Sequence, residues 1–167
     1  MRYDDLYAKP GHLIRRCQQI AVSIFTDECR DLDLTPIQYA VLLALKLHPD
    51  IDQATLAALA ALDRSTLGDV VRRLQRRRLI DRRPGEHDRR SKVLRATPAA
   101  LRLLDRAEAT VRRAQERILD PLAPAERRTF VRLLSKLVDI NNALSRAPMT
   151  VRAPSDKVRR PRRKGAR

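Results

Sequence analysis

Residues 52–97 read DQATLAALAALDRSTLGDVVRRLQRRRLIDRRPGEHDRRSKVLRAT, and their pattern decides the fold. Asp52 is placed to cap a helix whose buried side includes Leu56, Leu59 and Ala60. Small alanines at 54, 57, 58, 60 and 61 let another helix approach it closely. Leu62-Asp63 makes a turn, and Asp63 is a good N-cap for a second helix from Arg64 to about Arg77. In that helix Leu67, Val70, Val71 and Leu74 recur at helical spacing and point inward. Ser65, Thr66, Asp69, Arg72, Arg73 and Arg76 are left outside. Leu79-Ile80 then starts a strand, Pro84-Gly85 breaks it, and Lys92-Val93-Leu94-Arg95 returns. Two helices across a tight turn followed by a β-hairpin make a winged helix-turn-helix, mainly α with a small β-hairpin wing, expected over about residues 34–97.

On the N-terminal side, Leu13, Ile14, Cys17, Ile20, Ala21, Ile24 and Phe25 form one stripe on a helix from His12 to about Arg30, its start marked by Pro10-Gly11. Thr35-Pro36 opens the next helix, with Thr35 as N-cap and proline where a missing N–H costs nothing. That helix stops near His48-Pro49, because the residue before a proline is pushed out of helical geometry. On the C-terminal side Thr97-Pro98 repeats the cap-then-proline start. Leu104, Ala107, Val111, Ala114 and Ile118 make a coiled-coil-like seam to about Leu119. After Pro121 and Pro124 a last helix, about Ala125 to Leu144, carries Phe130, Leu133, Leu134, Leu137, Ile140 and Leu144. Regular stripes on long terminal helices (about 10–31 and 98–146) are more simply covered by a second copy than by the small winged core. The expected assembly is a homodimer with these helices as an intertwined dimer module. Residues 147–167 are mostly proline, basic and small, and are expected to be a disordered tail.

Composition narrows the function. Hydrophobic residues make up 43% of the chain, enough for a core, but aromatics only 3% with no tryptophan, which suits packed helices. The net charge of +16, from 36 Lys plus Arg against 20 Asp plus Glu, favours a polyanionic partner. The tail holds eight basic residues and one acid, so it carries +7, and the body keeps +9 without it. No apolar run approaches the roughly 20 residues of a membrane helix. The start MRYDDLYAKPG lacks the apolar centre of a signal peptide, so no membrane partner and a cytoplasmic location are expected. Cys17 and Cys29, twelve apart in one helix, would lie about 18 Å apart, beyond disulfide reach. His12, His48 and His87 are isolated, and HExxH, CxxC, GxSxG and glycine-rich phosphate loops are all missing. The expectation is a protein that is not an enzyme and takes no cofactor or metal.

The chemistry that remains is recognition of double-stranded DNA. Arg64, Ser65, Thr66 and Asp69 occupy the first turns of the outward-facing helix, where base contacts in a major groove fall. Arg72, Arg73 and Arg76 sit further along, suited to phosphates or guanine edges. A solvated arginine face would look the same on one helix, but here a second basic element, Arg82 to Arg90, follows it. An arginine at a hairpin tip can enter a minor groove. Asp88, two residues before Arg90 and beside Arg89, can orient the Arg90 guanidinium by a bidentate pair.

LTPIQYAVLLAL, ATLAALAALDRSTLGDVVRRLQRRRLIDR and the wing DRRSKVLRAT, followed by proline and a long helix, together resemble the MarR family of bacterial winged-helix regulators over about residues 10–145. The resemblance implies an obligate dimer, triangular in outline, with its first and last helices intertwined. It implies a pseudo-palindromic operator and, usually, repression relieved by a small ligand. Asp88 and Arg90 match the family's Asp-x-Arg wing pair, and Arg64 to Arg76 match its recognition helix. Many such regulators look like sensors of aromatic acids, held in a crevice between the dimer module and the DNA-binding lobe. His12, Arg15, Arg16 and Tyr39 are the candidates here, the first three for a carboxylate and Tyr39 for stacking. The basic tail departs from the family's usual ending. Two other readings fit the same residues: a redox-sensing repressor using Cys17, although the peroxide-sensing branch places its cysteine nearer Gly11, and a non-specific architectural DNA-binding protein.

Overall fold

The computed structural model describes residues 7–84 and 92–150, and four of the six α-helices bounded within them begin on a proline. They are α1 (Pro10–Glu28), α2 (Pro36–Leu47), α5 (Pro98–Leu119) and α6 (Pro124–Asn141). The ring fixes φ near its helical value where the N–H would have no partner. The other two, α3 (Gln53–Leu59) and α4 (Arg64–Arg76), start behind the aspartates Asp52 and Asp63. Each expected cap acts as one. Thr35 and Gln38 form a reciprocal capping box at 3.1–3.2 Å, and Asp52 Oδ1 accepts the N–H groups of Ala54 (2.8 Å) and Thr55 (2.9 Å).

Both helices of the helix-turn-helix end the same way. The residue after the last turn is left-handed, Ala61 at φ 51° and Arg78 at φ 56°, and the following N–H reaches back: Leu62 to Ala57 (3.0 Å), Leu79 to Leu74 (2.9 Å). No glycine marks either stop, so the sequence signal for them is faint. At the second stop Thr97 locks the end of α4 to the start of α5. Its Oγ1 donates to the Arg78 carbonyl (2.9 Å) and accepts from Ala100 (3.2 Å), while its N–H donates to Leu79 (3.0 Å).

The sheet has three strands in the order β1-β3-β2, with β1 Ile51–Asp52, β2 Ile80–Pro84 and β3 Lys92–Ala96, all antiparallel. β2 and β3 are the expected hairpin, registered with Ile80 opposite Ala96 and Pro84 opposite Lys92. β1 was not foreseen: its two residues are too short to show alternation, and Asp52 is also the α3 cap. The core lies between α2, α3, α4, the sheet and α5, around Val41, Leu42, Leu45, Leu56, Leu67, Leu74 and Leu94.

The long-helix seam needs correction. Leu104, Ala107 and Ala114 are buried inside this one chain, against the lobe core and against Phe25 and Cys29, which leaves no room there for a second copy. Arg117 pairs with Asp27 (2.7 Å) and Glu28 (3.1 Å), tying the ends of α5 and α1. The Arg117 hydrogen bond holds the Asp27 carboxyl below its usual range. Among the apolar residues that stay exposed are Leu13, Ile14 and Ile20 of α1 and those of α6, in which no residue is buried. Thr97→Val should lower stability by about 1–3 kcal/mol, because it strands the Arg78 carbonyl and the Ala100 N–H. Urea denaturation measures this; a midpoint unchanged from the wild type would contradict the lock.

Candidate nucleic-acid interface

α4 is amphipathic with a sharp division. Leu67, Val71 and Leu74 are buried, and Arg64, Ser65, Asp69, Arg72, Arg73 and Arg76 are exposed, with Thr66 half-buried. The two hydroxyls of the first turn are committed inward. Ser65 Oγ donates to Asp63 Oδ1 (2.6 Å), Thr66 Oγ1 donates to Asp63 Oδ2 (2.6 Å), and the Thr66 N–H donates to Oδ1 (2.9 Å). These bonds, that of Ser65 first, hold the Asp63 carboxyl far below the usual carboxylate range. Each hydroxyl oxygen therefore keeps its lone pairs for an outside donor. Asp63 thus sets both the start of the helix and the polarity of its leading edge.

Further along, Asp69 forms an ion pair with Arg72, whose Nε also donates to the Gly68 carbonyl (3.4 Å). That contact fixes one guanidinium along the helix face. Arg64, Arg73 and Arg76 have no hydrogen-bond or ion-pair partner among the described residues and are open to phosphate. Arg77 behaves differently from its neighbours. It turns back onto the carbonyls of Asp33 (2.5 Å) and Leu32 (3.5 Å) and onto the Asp33 carboxylate (3.4 Å). It anchors α4 to the turn before α2, a role that an arginine run conceals.

The wing's described part continues the basic surface. Arg82 donates to Gln53 Oε1 (3.0 Å) in the first turn of α3, and Arg83 lies 3.6 Å from Asp81. Asp88, Arg89 and Arg90 lie outside the described residues. The wing root is clamped by Arg95 on β3, which pairs with Asp50 through Nε and Nη2, the Nε–Oδ1 distance being 2.8 Å. The Arg95 hydrogen bond pulls the Asp50 carboxyl down against the opposing effect of burial.

A cleft of about 640 Å3 opens beside this surface, between α1, α2, α4 and α5. Gln18, Phe25, Ile37, Asp69, Arg73 and Gln115 are among its walls. None of these is among the effector candidates expected from the sequence, and Asp69 and Arg73 are expected on the DNA face. The four candidates do not line this cleft. His12 stacks edge-on with Tyr7 (ring centroids 5.3 Å apart), Arg15 and Arg16 are exposed on α1, and Tyr39 packs against Phe25 (6.1 Å) beside the core. The cleft is assembled from four helices, so no local spacing announces it. Cys17 is exposed and Cys29 buried, and burial pushes the Cys29 thiol up. No helix among the described residues is long and apolar enough to cross a membrane.

The family model described as MarR family matches residues 32–91, which hold the whole helix-turn-helix and the first strand of the wing. The HTH-type transcriptional repressor NicR of Pseudomonas putida is 33% identical over 135 residues, 81% of this chain and 85% of that one. The chain belongs to the MarR family. As expected from its sequence, it is a winged-helix member of this family of DNA-binding transcriptional regulators. Two solved MarR-type structures superpose closely. BpsR of Bordetella bronchiseptica, described with regulation of its DNA binding by 6-hydroxynicotinic acid, gives a TM-score of 0.75 at 29% identity, covering 83% of this chain and 97% of that one. The repressor CouR, bound to a 23-mer DNA duplex, gives 0.75 at 26% identity, covering 83% and 98%.

In this MarR-family lobe the Asp50–Arg95 clamp should show in the pH dependence of stability. A carboxyl lowered by folding stabilises the fold above its unfolded value near 4 and loses that effect as pH falls through the folded value. Asp50→Asn should cost about 0.5–1 kcal/mol at pH 7, and the gap from the wild type should narrow as pH falls below the unfolded value near 4 and close once it is below the lowered folded value. A gap that persists unchanged in acid would contradict the clamp.

Proposed function

We propose that the protein is a repressor that binds a pseudo-palindromic operator as a homodimer and is released by a small aromatic carboxylate. The observation that carries the first part is the exposed edge of α4, with Asp63-polarised hydroxyls at its start and, along it, Arg64, Arg73 and Arg76, which have no partner among the described residues. Such an edge suits the floor and walls of a major groove. The wing sequence would supply a second contact through Arg90, with Asp88 and Arg89 beside it in the chain. The repressor NicR and the DNA-bound CouR support the same reading.

A homodimer is supported by the uncovered apolar faces. On α6, Leu137 is 53% exposed, Ile140 is 68% and the adjoining Leu144 is 82%, and an open groove of about 880 Å3 runs along this helix beside Val131 and Ile140. A soluble monomer rarely leaves so continuous a patch bare. Together with Leu13, Ile14 and Ile20 of α1 it makes a surface for a second copy.

Release follows from the cleft. Phe25, Val22 and Val70 offer apolar walls for a ring, and Arg73 offers a cation for a carboxylate. Arg73 stands on the proposed DNA-reading helix, and a guanidinium paired with a carboxylate in the cleft has its charge neutralised and holds a phosphate less strongly. Binding the effector would therefore be coupled to loss of a DNA contact. His12, Arg15 and Arg16 would join the effector only where the second copy carries them to the cleft. BpsR's response to 6-hydroxynicotinic acid supports an aromatic acid as the class.

Fluorescence anisotropy on the DNA upstream of the gene tests the reading. Arg90→Ala should weaken binding about tenfold or more, on the order of 1–3 kcal/mol; near-normal affinity would remove the wing from the account. For the effector, calorimetry of the free protein with 6-hydroxynicotinic acid as probe should give an affinity about tenfold weaker in Arg73→Gln. An unchanged affinity would place the carboxylate elsewhere.

A further inference from the structure

Of the expected tail, residues 151–167 lie outside the described residues, and 147–150 return to α3, where the Thr150 N–H donates to the Ala58 carbonyl (2.9 Å). Charge that the DNA-facing edge leaves unused stands nearer to it, at the end of α4. Arg72, Arg73, Arg76, Arg77 and Arg78 form one basic run in the sequence. Within that run Arg77, the C-cap residue of α4, sends its guanidinium to another element. Its Nη1 donates to the Asp33 carbonyl (2.5 Å) and its Nη2 to the Leu32 carbonyl (3.5 Å), 3.4 Å from the Asp33 carboxylate.

The far end of this tether is held on both sides. The connection from α1 to α2 is a 3-10 turn, Arg30–Leu32, followed by Asp33 in left-handed geometry (φ 48°, ψ 48°). The Leu32 N–H donates to the Cys29 carbonyl (3.0 Å), Leu34 is buried, and Thr35 caps α2. On the α1 side Arg117 holds Asp27 and Glu28, and Arg113 Nε lies 3.5 Å from Glu28. The Asp33 side chain is 90% exposed, so its ion pair adds little. The bonds to the two carbonyls carry the contact, and such bonds are directional.

Direction is what apolar packing lacks. Burial of Leu67, Val71 and Leu74 selects the inward face of α4 but leaves its last few degrees of roll loosely set. Side-chain tips lie roughly 5–6 Å from a helix axis, so a roll of about 10° moves them by about 1 Å. A hydrogen bond to a base edge tolerates only about 2.7–3.2 Å between heavy atoms. Thr97 holds the end of α4 from the start of α5, through the Arg78 carbonyl (2.9 Å), and Arg77 holds it from the α1–α2 connection.

We propose that Arg77 determines sequence specificity without touching DNA: through the Leu32 and Asp33 carbonyls it positions α4 for base reading. The proposal rests on the DNA-binding reading above. Phosphate contacts give affinity for any sequence, and long arginine side chains re-aim at a phosphate after a small roll, whereas base-edge bonds are lost. Loss of the tether therefore falls on the operator and spares random DNA.

The experiment measures affinity of the full chain for an operator duplex and for a random duplex of equal length, across a salt series. Arg77→Gln should bind the operator about tenfold more weakly, with random-duplex affinity and salt slope unchanged. Arg77→Lys keeps a charge near Asp33 but lacks the planar fork, and should lose about threefold of the operator preference. Arg76→Gln, the comparison for a direct phosphate contact, should weaken both duplexes alike and flatten the slope by about 0.9 per chain. Circular dichroism confirms that each variant is folded; should Arg77→Gln not fold, Arg77→Lys decides on the same ratio. A folded Arg77 variant with the wild-type operator preference would overturn the proposal and leave the tether a purely structural contact. Equal losses on both duplexes with a flattened slope would place Arg77 on phosphate and overturn it too. A wild type without operator preference would overturn the DNA reading itself, and this proposal with it.

Discussion

The burial of Leu67, Val71 and Leu74 is the constraint from which the rest follows. Each is at most 1% exposed, and each contributes roughly 1.5–3 kcal/mol by leaving water. A helix of thirteen residues has only one face to bury, so committing these three fixes which residues meet solvent. Arg64, Ser65, Asp69, Arg72, Arg73 and Arg76 are outward because those three are inward. The surrounding contacts hold that single rotation: Asp63 at the start, Arg77 on the turn before α2, and Thr97 behind the last turn. The proposed binding surface is a consequence of the core.

The same logic explains the two ends of the chain. α5 buries its seam within the chain, so it is a rigid strut from the wing to α1. α6 buries nothing and displays its apolar face. Two copies joined through α6 and the free half of α1 would hold two recognition helices at a set separation, the geometric requirement of a pseudo-palindromic site. The cleft lies at the joint between strut and lobe, so an occupant there touches α4 directly.

Much of this was legible in the residues. Thr35, Asp52, Asp63 and Thr97 each cap the helix expected of them, because a cap is a local event with a local signature. The inward set on α4 was legible from period alone. What escaped was whatever depends on a distant partner. Periodicity says that Leu104, Ala107 and Ala114 are covered, but not whether by this chain or another. Arg77 reads like its neighbours until Asp33 is seen beside it. β1 hides in two residues whose pairing with Val93 and Leu94 is purely long-range. The cleft residues Gln18, Ile37, Arg73 and Gln115 come from four helices and share no spacing. The anchor of Thr150 on Ala58 joins positions ninety-two apart, and nothing near either one announces it.

The proposed function requires two chains together to read one DNA sequence. Sedimentation velocity of the full chain with a labelled operator duplex, in the presence of excess random duplex, tests it most directly. The account predicts a complex of two chains per operator that survives a thousandfold excess of random competitor, the lower end of what specific regulators achieve. One chain per duplex, displaced by random DNA in simple proportion to its amount, would contradict it.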